Sequence, residues 1–242
     1  MLLTGIGIFA FLAASSASIS GILTAYITEG KQGIKKLFGG FKRVKNKPIY
    51  YLLAFIIPPV IALVAIGIST LLGNPFYTIG LTQLAAFPSM FLMITIQAGL
   101  GEEIGWRGYA CPKLAERYSA LNATLIIGVF WALWHVPLYF FPGMLQYEMT
   151  QQLGFFNIFI WYSIFIVATS IVHGWIYYVS DGNLWLPIIL HGSLNAFGGL
   201  FAYGNLENYG GPTVLYVLII VWVIAAVLIT LIYGPKKLKR TK

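Results

Sequence analysis

Two adjacent carboxylates, Glu102 and Glu103, stand five and four residues before Arg107 in a stretch of chain almost empty of charge. Between Pro48 and Pro235 the basic residues are Arg107, Lys113 and Arg117, and the acidic ones are Glu102, Glu103, Glu116, Glu148, Asp181 and Glu207. On a helix, Glu103 and Arg107 are i and i+4, so they share a face and pair. Glu102 is turned about 100° away by the helical period and is left without that partner. One carboxylate then braces the structure while its neighbour is free to move protons, the task of a general base. A plain buried ion pair explains Glu103 and Arg107; it leaves Glu102 unexplained.

Two histidines extend the pattern. His135 lies in the apolar run Phe130–Pro137, one helical turn after Trp131. Taken alone it is as easily a hydrogen-bonded core residue as a functional one. His191 and Asn195 are again i and i+4, so both project from one helical face. Each donates hydrogen bonds from a neutral side chain, and two donors aimed at one point make an oxyanion site. His173, in Val172-His173-Gly174-Trp175, falls outside these patterns and reads as a packed, hydrogen-bonded histidine. Cys111, the single cysteine, excludes an internal disulfide and any cysteine-rich metal site. Glu116 and Arg117 read as a solvated interface near Lys113.

The elements that must hold these residues are membrane helices. Of 242 residues, 59% are hydrophobic and 9% charged, against about a quarter charged in soluble domains. Ionisable groups at membrane depth are costly and mark functional sites by default. Seven spans of roughly the ~20 apolar residues a bilayer requires account for the chain: residues 2–27, 49–72, 84–100, 121–141, 155–179, 184–203 and 213–233. The fold class expected is all-α, a polytopic transmembrane helical bundle forming a single domain over residues 1–242. The third span is expected to run on past Leu100 through Arg107 as one helix. There Gly99, Gly101, Gly105 and Gly108 are poor for a lone helix but let neighbouring helices approach closely. Residues 2–27 lack the basic start of a signal peptide; Ser15-Ser16-Ala17-Ser18, similar to a cleavage site, lies inside a stretch long enough to span.

The net charge of +8 is localised. Seven of fifteen basic residues fall from Lys31 to Lys47 and five from Lys236 to Lys242. Both clusters flank apolar segments, the pattern of cytoplasmic loops on anionic lipid and not of a nucleic-acid-binding protein. The expected topology is multi-pass in a plasma membrane, amino terminus outside and carboxyl terminus cytoplasmic.

Glu102-Glu103-x-x-x-Arg107, Trp131-x-x-x-His135 and His191-x-x-x-Asn195, in that order, resemble the motifs of the CPBP family of intramembrane proteases, which covers Rce1-like CAAX-processing and bacteriocin-processing enzymes. The resemblance extends from about Gly99 to Gly198. It departs at Trp131, where the family carries phenylalanine. What it implies is an endopeptidase acting on a membrane-associated peptide or protein. Glu102, assisted by His135, would activate a water; His191 and Asn195 would steady the oxyanion; Glu103 and Arg107 would brace the site. No cofactor is firmly implied. The alternative is Zn²⁺ held by Glu102, His135 and His191 with one position open, although the chain has no His-Glu-x-x-His and Asn195 is a poor zinc ligand. Two other classes compete: a non-proteolytic immunity or regulatory protein of the same fold, and a proton-coupled transporter. Neither needs an asparagine one turn from His191.

Overall fold

The computed structural model describes residues 5–75, 79–201 and 212–239. Glu207, Arg240, Lys242 and the outer ends of the expected first and sixth spans lie outside the described residues. Eight helices are described: α1 (Gly5–Gly39), α2 (Pro48–Leu71), α3 (Leu81–Ala115), α4 (Ala120–Trp134), α5 (Leu145–Leu153), α6 (Phe155–Val179), α7 (Trp185–Leu200) and α8 (Thr213–Tyr233). No strand occurs among the described residues. The protein is an all-α, multi-pass membrane bundle, and six of its helices are long and apolar enough to cross a bilayer. The remaining expected span corresponds to α7, which has 16 residues and ends at Leu200 with its C-cap at Phe201.

Local chemistry sets the boundaries. Pro48 opens α2 at a position where its missing N–H costs nothing. Ser119 caps α4 by accepting the Asn122 N–H at 3.2 Å. Pro137 stops the α-helical ladder of α4 at Trp134, and the chain goes on as a 3₁₀ turn over Val136–Phe140. Ala120–Phe140 together is long and apolar enough to cross, close to the expected span 121–141. The helix α5 has no counterpart among the expected spans. It sits between Gly143 and Gly154, both at positive φ, which turn the chain into and out of it.

As expected, α3 continues through the two glutamates and on to Ala115. It is not a uniform α-helix. Thr95–Leu100 and Ile104–Ala110 are π-helical, and Gly101–Glu103 is a single α turn between them. Such widened turns leave backbone groups without their regular partners and concentrate at functional sites. One side chain from α1 serves both: Ser18 Oγ donates to Leu100 O at 2.8 Å and accepts from Gly105 N at 3.3 Å. The Ser15–Ser18 run is thus a packing element.

Three of the four α3 glycines act as expected, whereas a Cβ on Gly108 would meet only side chains, the nearest being Leu184 at an ordinary 3.4 Å. A Cβ on Gly101 would lie 2.9 Å from Ala14 O, and one on Gly99 would lie 2.8 Å from Ile188 O. A Cβ on Gly105 would overlap Ala17 O outright. These glycines let α1 and α7 press backbone to backbone on α3. Elsewhere α4 packs on α6, α2 on α7, and α8 on α2 and α6.

Basic residues from both clusters gather at one end of the bundle. Lys239 pairs with Asp181 Oδ1, and Arg43 Nη1 donates to Asp181 O at 2.7 Å. Ala120 N donates to Lys236 O at 3.0 Å. Lys113 bonds Glu29 and Glu116 at the same end.

Candidate active site

Four helices, α3, α4, α6 and α7, converge on the glutamate pair. Glu103 and Arg107 are both fully buried, at 0% exposure. Arg107 Nη1 donates to Glu103 Oε1 at 3.0 Å, the i,i+4 pair that the spacing required. Its Nη2 donates to Ser170 Oγ of α6 at 3.1 Å, and Ser170 Oγ donates in turn to Thr124 O of α4 at 2.8 Å. The guanidinium also stacks 4.7 Å from the centre of the Trp131 ring. From α7, His191 Nδ1 donates to the same Glu103 Oε1 at 2.8 Å. One buried carboxylate therefore ties α3 to α7 directly, and through Arg107 to α4 and α6.

Glu102 points elsewhere. Its Oε2 accepts from Trp131 Nε1 at 2.6 Å, and its Oε1 stands 3.9 Å from His191 Nε2. That gap is too long for a direct hydrogen bond and short enough for one water on its cavity side to bond both atoms. Glu102 lines a cavity of about 440 Å³ together with His135, His191 and Asn195. The remaining wall is mostly apolar, including Trp134, Met149 and Leu194. Asn195 is exposed on that wall, one turn from His191. Glu103 and Arg107 do not reach the cavity and lie behind it. The two adjacent glutamates face different surroundings, as the helical period demands.

The histidine partners fix the tautomers. His135 Nδ1 donates to Trp131 O at 2.7 Å, because a carbonyl only accepts. Its Nε2 is then an acceptor, suited to assisting proton removal. His191 spends its Nδ1–H on Glu103, so a neutral His191 also presents an accepting Nε2. It donates towards the cavity only as the imidazolium. That differs from the expectation of a neutral donor, which could not be judged without knowing that Glu103 lies against the ring.

Two contributors, Ser170 and His173, lie outside the sequence motifs, and the motif residue Trp131 acts through its N–H, which holds Glu102. Ser170 completes the guanidinium's bonding. His173, expected to be packed and hydrogen-bonded, donates from Nδ1 to Thr169 O at 2.7 Å and stacks edge-on against both Trp131 and His191. The spacing of residues along the chain carries no sign that His173 meets them.

Among the described residues the group whose ligand atoms fall within 4.8 Å of one another is Glu103, His173 and His191, a different trio from Glu102, His135 and His191. His173 Nε2 and Glu103 Oε2 are buried acceptors with no hydrogen-bond partner among the described residues. The trio does not fit a catalytic zinc. The Arg107 guanidinium bonds the same carboxylate, and neither Glu103 nor His173 reaches the cavity where an open coordination position would have to face a substrate.

Residues 84–197 match the model of the type II CAAX prenyl endopeptidase Rce1-like family. Over 172 residues the chain is 32% identical to CAAX prenyl protease 2 of Methanococcus maripaludis, a match covering 68% of this chain and 60% of that protein's length. All six motif residues, Glu102, Glu103, Arg107, His135, His191 and Asn195, lie inside the stretch that matches the Rce1-like family model, and the chain spans less than two thirds of the length of the M. maripaludis relative.

Proposed function

We propose that the protein is an intramembrane endopeptidase in which Glu102 is the general base. The observation that carries this is the position of its Oε1: buried, free of Arg107, on the cavity wall and 3.9 Å from His191 Nε2. A water in that gap donates one proton to Glu102 Oε1 and directs its lone pair into the cavity, at the scissile carbonyl. His135 Nε2, an acceptor on the same wall, helps orient the water. As the amide becomes tetrahedral, Asn195 Nδ2 donates to the oxyanion. His191, as an imidazolium held by Glu103, donates from Nε2. Two carboxylates, Arg107 and the imidazolium then sum to no net charge, which suits a desolvated site. Glu102 next hands its proton to the leaving amine, and the base is restored. Glu103 and Arg107 hold this geometry without touching the substrate.

The substrate is a membrane-associated peptide or protein, whose apolar residues the Trp134, Met149 and Leu194 wall accepts. The M. maripaludis relative is named for prenylated CAAX substrates; the apolar cavity is compatible with such a group and equally with apolar side chains. All eight helices act as one catalytic domain. It sits in a plasma membrane with the basic end on the cytoplasmic side, a placement supported by the meeting of both basic clusters at Asp181.

The test compares peptide termini in the membrane proteomes of cells carrying the wild type and Glu102→Gln. New termini are expected with the wild type and absent with Glu102→Gln, and their formation should persist in membranes treated with phenanthroline. Equal termini in the two strains would overturn the assignment of Glu102, and loss of cleavage on chelation that zinc restores would overturn the metal-free route.

A further inference from the structure

We propose that Trp131 is a positioning residue that selects which oxygen of Glu102 reacts; this rests on Glu102 being the base. A carboxylate has two equivalent oxygens and rotates about its last torsion. Here the rotation is stopped, because the Trp131 indole N–H donates to Oε2 at 2.6 Å. Oε1 is thereby left to face the cavity and the 3.9 Å gap to His191 Nε2. A charge-assisted bond of this length is among the stronger side-chain bonds a protein makes.

The indole itself is held on several sides. Trp131 is 1% exposed, with the Arg107 guanidinium 4.7 Å from its ring centre and the His173 and His191 rings edge-on at 5.6 and 5.4 Å. Its backbone carbonyl meanwhile accepts His135 Nδ1–H, so one residue sets both the free oxygen of Glu102 and the tautomer of His135. Any residue supplies the carbonyl. Phenylalanine would supply the ring surface. The bond to Glu102 needs the indole N–H, and no other hydrogen-bond donor to either Glu102 oxygen is found among the described residues. Trp131 therefore adds to this site a restraint that the phenylalanine of the motif's usual form cannot make.

The experiment replaces the N–H and nothing else. Trp131 is substituted by β-(3-benzothienyl)alanine, in which sulfur stands in place of the indole N–H and the shape is kept; Trp131→Phe is made alongside. The rate at which new peptide termini accumulate after induction should fall about 10- to 100-fold in both, the equivalent of one charge-assisted hydrogen bond. The melting temperature of the benzothienyl protein should fall by no more than about 3–12 °C, the share of one buried charge-assisted bond, so that the protein stays folded in the assay. An independent arm uses ¹⁵N-indole-labelled protein in detergent: the most hydrogen-bonded indole N–H resonance should be absent from Trp131→Phe and shifted in Glu102→Ala. Full cleavage by the benzothienyl protein, or an indole spectrum unmoved by Glu102→Ala, would overturn the role of Trp131. In both cases the base assignment stands while Glu102→Gln remains inactive. If Glu102→Gln itself cleaves normally, it is the base that fails.

Discussion

Glu103→Gln separates bracing from chemistry. The change is nearly isosteric, keeps one carbonyl oxygen and removes one negative charge from a site with no exposure to solvent. Glu103 Oε1 accepts from Arg107 Nη1 at 3.0 Å and His191 Nδ1 at 2.8 Å. After neutralisation the guanidinium keeps only neutral partners, Ser170 Oγ and the Trp131 ring face. Leaving one charge of a buried pair uncompensated costs about 3–5 kcal/mol. For a chain of this size, about 2–4 °C of melting temperature goes with each kcal/mol. The expected loss is thus on the order of 6–20 °C, read as the thermal transition of helical circular dichroism in detergent micelles. Glu102→Gln forfeits no buried ion pair and should melt within about 3 °C of the wild type, since only the Trp131 bond is weakened. The double variant Glu103→Gln/Arg107→Met removes both charges and should recover part of the loss, because an absent pair costs less than a broken one. A Glu103→Gln protein that melts with the wild type, or a double variant below both single ones, would refute the bracing role.

Two further outcomes follow from the same geometry. Asn195→Ala removes an exposed donor on the cavity wall and should lower turnover by about 10²–10³ with little change in substrate binding, as for other oxyanion donors; an unchanged cleavage rate would remove Asn195 from the mechanism. Cysteines placed as Lys45→Cys and Lys239→Cys in a Cys111→Ser background should react with an impermeant maleimide only when it is supplied from the cytoplasmic face. Labelling of the two from opposite faces would contradict the meeting of both basic clusters at Asp181.

What the sequence made legible, and what it hid, divides along contact range. Glu103 and Arg107 are four residues apart, and the helical period alone pairs them and turns Glu102 away; the structure has both. The α3 glycines were legible for a related reason, since a residue without a side chain in an apolar helix signals a close neighbour without naming it. The structure names Ala14, Ala17 and Ile188. Partners distant in sequence left no such mark. His191 meets Glu103 across 88 residues and Arg107 meets Ser170 across 63. The first contact decides that His191 presents an acceptor unless it is charged. His173 is packed and hydrogen-bonded as its sequence suggests, but its contacts with Trp131 and His191 leave no sign in the sequence because those residues come from other helices. The π-helical turns were hidden for a different reason, since one extra residue per turn leaves composition and hydropathy unchanged. Their consequence is nonetheless chemical. Gly101–Glu103 is the one α turn between two widened ones, pinned at both ends by Ser18 of α1. The direction in which Glu102 points is therefore set jointly by α1 from outside α3 and by the Trp131 N–H from α4, and a local motif of two glutamates and an arginine becomes a site only when those helices arrive.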